Sequence, residues 1–280
     1  MENITIATDK LIALTNNKDN SGLYTITHAK DTTLQIGATE DITEYRYRGA
    51  SPKNYVTFNN EVWRIIGIFP TDDGTGKIEN RIKLVRNESI GNKYWNTGKS
   101  NNWARPTTLN TELNGAYLNN YATIAQNMIG NAKYYLGGYN GSNVTVDTIY
   151  QYERKISGSD YYYGTNPNSW TGKLALMYAS DYGYASSNCE NKRIYDSNSS
   201  SNDIRACNTT NWLYNIKKDE WLLPQGASDR FNGVSVLSNG RVGSGNVIID
   251  QFAVRPVLYL ISSVQITGGD GTSTNPYTFG

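Results

Sequence analysis

The stretch from Val56 to Phe69 reads VTFNNEVWRIIGIF. Two β-prone runs flank Asn59-Asn60, and Asn tolerates the left-handed backbone that a two-residue hairpin turn demands. The pattern predicts a hairpin in which Val62, Ile65, Ile66 and Ile68 pack inward around Trp63 as an aromatic anchor. IENRIKLVRNE follows beyond a DDGTGK loop and is expected to pair with it as a third strand.

PTTLNTELNGAYLNNY spaces Leu109, Leu113, Tyr117, Leu118 and Tyr121 as a helix does, with Thr107 or Thr108 as its N-cap. TIAQNMIGNAKYYLGG repeats that spacing with Ile124, Met128, Ile129, Ala132 and Leu136, and is expected to be a second helix ending at Gly137-Gly138. TVDTIYQYERKI is read as strand-like, GSDYYYGTNPNSWTG as a loop, and KLALMYASDYGYA as a buried strand leading into a turn. DEWLLP, GVSVLSNGRV, GNVII and AVRPVLYLIS then read as four short strands, with hairpin signals at Ser238-Asn239-Gly240 and Gly243-Ser244-Gly245. The expected architecture is α+β: short antiparallel strands at both chain ends, two helices between them, and long loops. Residues 1–20, weakly helical up to NNKDNSG, read as a stub left by a removed signal or membrane segment, and 21–280 as one domain.

The 280 residues carry 26 Lys+Arg against 25 Asp+Glu, so no strong field is available to hold nucleic acid or an anionic membrane. No run approaches the roughly 18 apolar residues of a spanning helix, and direct membrane insertion is not expected. The chain holds 34 Asn, 22 Tyr and 26 Gly, a mixture that offers contact area and adaptable hydrogen bonds, as binding surfaces do. With His28 the single imidazole, a Ser-His-Asp triad or a multi-His metal site would rest on one residue, and the chain reads as a non-enzyme. Asp72-Asp73 and Asp219-Glu220 lie in turns with no apolar flank to tune an acid or base.

Cys189 and Cys207 bracket a Ser/Asn-rich segment without CxxC spacing. They point to a local disulfide and an oxidising compartment, extracellular or at the cell surface, with two free thiols as the alternative. No cofactor is expected, although PTDDGTGK, YDSNSSSND and GGDGTSTNP offer oxygen ligands for a structural calcium.

The order VWRIIGIF, IKLVRNE, LNTELNGAYLNNY, LALMYASDYGYA, WLLP, VSVLSNGRV, AVRPVLYL resembles a bacterial surface-protein family of C-type-lectin-like domains, from about Tyr24 to Leu260. GGDGTSTNPYTF is similar to that family's terminal tail. The resemblance implies a C-type-lectin-like mixed fold, shared with the variable ligand-binding proteins of diversity-generating retroelements, whose diversified positions concentrate in the segment matching 225–252. The Glu-Pro-Asn, Gln-Pro-Asp and Trp-Asn-Asp motifs of calcium-dependent sugar binding are absent. Strand alternation across 225–252 points Val234, Val236, Val242 and Ile248 inward. Arg230, Asn232, Leu237, Arg241, Asn246, Ile249, Gln251 and Phe252 then form a mixed outward face suited to a partner. The expected function is an adhesin-like or receptor-binding module for an unidentified protein or glycan; the alternative is a structural surface or pilus component.

Overall fold

A computed structural model describes residues 5–106, 108–140, 144–195, 201–214 and 216–280, without the side chains of 201–204. The hairpin forms where the sequence places it. Strands Tyr55–Phe58 and Glu61–Asp72 pair antiparallel, and Asn59 and Asn60 turn between them at φ 50° and 60°. Ile78–Arg86 is the third strand, paired along the other edge of Glu61–Asp72. Trp63, Ile65, Ile66 and Ile68 are buried, whereas Val62 is 46% exposed, because the side opposite Trp63 at this end of the strand meets solvent. Glu61–Asp72 bulges between Ile65 and Gly67. A Cβ at Gly67 would lie 2.2 Å from the Tyr45 carbonyl oxygen, so the bulge requires glycine there.

The expected α+β arrangement with two helices between terminal strands is overturned. Among the described residues strand accounts for 36% and helix for 18%, in several sheets with seven short α-helices. The larger sheet runs Gly22–His28, Ile42–Arg48, Glu61–Asp72, Ile78–Arg86, Val257–Leu260, Leu174–Ala175, with Ile129–Gly130 on Val257–Leu260. The opening hairpin and the closing strand therefore share one sheet, separated by Ile78–Arg86. The second sheet runs Asn92–Tyr94, Gln251–Ala253, Glu220–Gln225, Asn232–Val236, Val242–Asn246, Arg193–Tyr195, Val144–Thr145. Trp63, Trp95, Trp103 and Trp221 are fully buried in a core continuous across these elements. Ala7 and Leu11, on the short helix Ala7–Ile12 of the expected stub, belong to it.

The expected first helix is Thr108–Glu112, continued by a π turn over Leu113–Tyr117, with Leu109 and Leu113 buried. Thr107 lies outside the described residues. The second stops at Met128, leaving Ile124 70% exposed. Ile129–Gly130 and Ala132–Tyr135 are strands instead, because Val257–Leu260 and Ser169–Gly172 supply ladder partners and outweigh a helical spacing. Gly137-Gly138 is no helix end: a Cβ on Gly138 would lie 1.6 Å from the Gln225 carbonyl oxygen, so the glycine lets two backbones touch. Conversely, Val146–Glu153 is a helix that buries Val146, Ile149, Tyr150 and Glu153, an i, i+3, i+4, i+7 stripe. The strand at Leu174–Ala175 is two residues long. Helix Ala179–Tyr184 follows it, with Asp181 accepting from the Tyr178 N–H at 2.9 Å to fix the first turn. Gly243, Ser244 and Gly245 lie inside strand Val242–Asn246 rather than in a hairpin turn.

Cys189 and Cys207 form a disulfide, their Cα atoms 4.7 Å apart, joining helices Ser187–Glu190 and Ser201–Asn208. No helix among the described residues is long and apolar enough to cross a membrane.

Candidate functional site

The face expected from 225–252 divides in the folded sheet. Asn232 pairs with Asn246, and Val236 with Val242, at opposite ends of a five-residue ladder. Leu237 and Arg241 thus stand roughly 16 Å from Asn232 and Asn246 along the strands. Directly opposed antiparallel residues share a side, so Asn232 and Asn246 lie on the same side as the buried Val234, Val236 and Val242, not opposite them. Both serve their own turns. The Asn232 amide donates to Asp229 at 2.5 Å, and Asn246 Oδ1 accepts from the Ile248 N–H at 3.1 Å. Phe252 is half-buried on Trp221, ring centroids 4.4 Å apart, so it covers the indole. Leu237 and Arg241 are half-buried, as is Ile248. Arg230, Ile249 and Gln251 are exposed, Ile249 at 69%.

A second surface joins Arg230. Tyr161 to Asn168 form a loop whose backbone lies along Leu136–Asn140: Leu136 donates to Asn168 O and Gly138 to Tyr161 O, each at 2.9 Å. On its other side stands a buried amide hub. The two N–H groups of the Asn101 amide are shared among the carbonyls of Gly226, Asp229 and Asn232, at 2.8, 2.9 and 2.8 Å, while Asn101 Oδ1 accepts from Asn166 at 3.0 Å. Asn166 also donates to Gln225 Oε1 at 2.6 Å, and Gln225 Nε2 donates to Leu136 O at 2.8 Å. Asn101 and Gln225 are almost wholly buried, where each unmade hydrogen bond is costly. The hub therefore fixes the Tyr-rich loop against the segment carrying Arg230.

Within the loop, Tyr162 is buried with its hydroxyl on Lys155 O, and Tyr161 packs on Tyr152 with centroids 4.8 Å apart. Tyr163 is 37% exposed, and the Arg230 guanidinium lies 4.7 Å over the Phe231 ring. Beside the loop runs a groove of about 370 Å³ lined by Ile156, Ser157, Ser159, Tyr162, Asn166 and Asn168 among others. Hydroxyls, amides and an aromatic edge meet there, the chemistry of polar recognition. Nothing in the sequence singled out Asn101 or Gln225. The available signal was the density of Asn in NNWARP and TNPNSW, polar runs that flank tryptophans.

The offered calcium loops use their carboxylates internally. Asp72 accepts from the Gly74 and Gly76 N–H, Asp73 from Thr75, and Asp270 from Thr272. YDSNSSSND falls largely outside the described residues. Among the described residues no three His, Cys, Asp or Glu are grouped to hold a metal ion.

The interior holds a cluster of six ionic side chains. Arg46 contacts Glu44 at 2.7 Å and Asp181 at 3.0 Å, Lys83 Nζ contacts Asp181 at 2.5 Å, and Arg154 contacts Glu153 at 3.0 Å. Burial acts to raise the Asp181 carboxyl, but Lys83 and Arg46 outweigh it and hold the group below its ordinary range. Burial raises Glu153 and lowers Lys83. At the rim of the cluster His28 stacks on Tyr150 at 3.6 Å, between Glu44 at 3.4 Å and Asp147 at 3.7 Å. Burial disfavours its charged form, yet the carboxylates of Asp147 and Glu44, which accept from the imidazole N–H groups, prevail and raise its pKa. No family model, curated protein or solved structure matches this chain.

Proposed function

We propose that the protein is an extracellular ligand-binding module whose contact surface is the Tyr161–Asn168 loop together with the Arg230 segment. The observation that carries this reading is the Asn101–Asn166–Gln225 hub, which holds two surface loops in one fixed arrangement from beneath. Loops immobilised before binding lose less entropy on association, and Tyr and Arg are the residue types that dominate contact energy. The disulfide agrees with an oxidising compartment. Within 225–252, Arg230, Ile249 and Gln251 are exposed and can vary without disturbing a turn or the Trp221 cover, so ligand-dependent or diversified positions belong there.

A screen of the intact protein against glycan and protein arrays tests the reading. Tyr163→Ala with Arg230→Ala should abolish binding to any hit while moving the melting temperature little, since exposed substitutions usually stay within roughly 0.5 kcal/mol. Affinity that survives the double replacement places the ligand elsewhere and refutes the assignment.

A further inference from the structure

We propose that Lys83 and Asp181 condense into an intramolecular amide, covalently linking strand Ile78–Arg86 to helix Ala179–Tyr184. Nζ and Oδ2 are 2.5 Å apart, and both side chains are essentially without solvent access. Two reacting groups held in that contact need no encounter, which removes a large entropic part of the barrier to amide formation.

The surroundings supply the remaining chemistry. The ammonium is enclosed by the rings of Tyr178, Tyr259 and Phe69, 4.2, 5.4 and 5.8 Å from their centroids. Burial among these rings favours the neutral amine, which is the nucleophile. Lys83 first passes one proton to Oδ2, an uphill step because Arg46 favours the carboxylate, giving a transient amine and carboxylic acid. Nζ then bonds to Asp181 Cγ. Negative charge builds on Oδ1, where Arg46 already donates at 3.0 Å and acts as a fixed oxyanion partner. A second proton moves from nitrogen to Oδ2, the Cγ–Oδ2 bond breaks, and water departs; the third proton remains as the amide N–H. An ammonium and a carboxylate thus become an amide and water, with no oxidant, activating group or cofactor.

Two further features favour the product. A crevice with room for about one water, about 10 Å³, is lined by Phe69, Tyr178 and Tyr259, the same three rings, and gives the released water a site beside the reaction. Charge balance also survives: removing Lys83 and Asp181 as ions leaves Arg46 with Glu44 and Arg154 with Glu153. The interior exchanges a buried ion pair, expensive to desolvate, for a neutral amide. The link spans 98 residues of sequence, far beyond the reach of the disulfide.

Intact-mass spectrometry of the wild-type protein, denatured and reduced, decides the matter, because the wild type needs no variant to fold. The expected result is a mass one water below that of the reduced chain, with a proteolytic digest yielding a branched peptide that joins Lys83 to Asp181. Lys83→Met and Asp181→Ala chains should each show the full mass of their sequence. A wild-type chain at full mass overturns the proposal, as does a water loss that fragmentation locates at any other residue.

Discussion

Asn101→Ala is the perturbation that most directly tests whether the binding loops are held from beneath. In the wild type the Asn101 amide serves three carbonyls and its oxygen accepts from Asn166. Asn232 O keeps the Gly226 N–H at 2.8 Å, and Asn166 keeps Gln225. The carbonyls of Gly226 and Asp229 are therefore the groups left short of a donor. At about 1–3 kcal/mol for each buried group stranded, the expected loss is about 3 kcal/mol. Unfolding entropy of about 2.1 cal/mol/K per residue over a chain of this size converts that to about 5 °C in melting temperature. Calorimetry reads the magnitude, and hydrogen exchange reads the place. Exchange should accelerate in peptides covering 158–168 and 225–233, including the Tyr163 N–H that donates to Gln225, and stay slow in Glu61–Asp72. An unmoved melting temperature, or faster exchange spread evenly over the chain, would refute the idea of a local pin.

Two other outcomes follow from the interior. The folded-state pKa of His28 is raised, so its contribution to stability is complete below the unfolded value of about 6.5 and fades as pH rises through the folded value. As pH rises above about 6.5 the stability advantage of wild type over His28→Gln should shrink in parallel urea titrations; an advantage that does not fall would show that the imidazole stays in one charge state. Replacing both cysteines by serine should cost about 3 kcal/mol by the loop-entropy argument, read as a lower denaturation midpoint at unchanged slope. A double variant as stable as wild type would mean that the helices it joins are held by packing alone.

What the sequence disclosed and what it withheld separate along a physical line. The hairpin, its Asn-Asn turn and the pairing of Ile78–Arg86 were readable because turn chemistry and alternation are local, and local signals suffice when partners are consecutive. Ile129–Gly130 was misread because its partner, Val257–Leu260, lies more than a hundred residues away, and short amphipathic runs do not reveal whether a ladder awaits them. Val146–Glu153 was misread for the opposite reason: Thr, Ile, Tyr and Val look β-prone, while the helical stripe that buries Val146, Ile149, Tyr150 and Glu153 depends on the core it meets. The same division governs the site. Alternation identified Val234, Val236 and Val242 as buried, but it could not show that Asn232 and Asn246 share their side, that Phe252 covers Trp221, or that Asn101 reaches across 125 residues to Gly226. Polar hubs and buried ion pairs are built from residues of no fixed period. A lysine in the apolar run RIKLVR and an aspartate in LMYASDYGYA were the only traces of the Lys83–Asp181 contact, and a charge amid apolar neighbours is expensive enough to require a partner. That cost, rather than any motif, is the sequence signal by which such a pair is recognised.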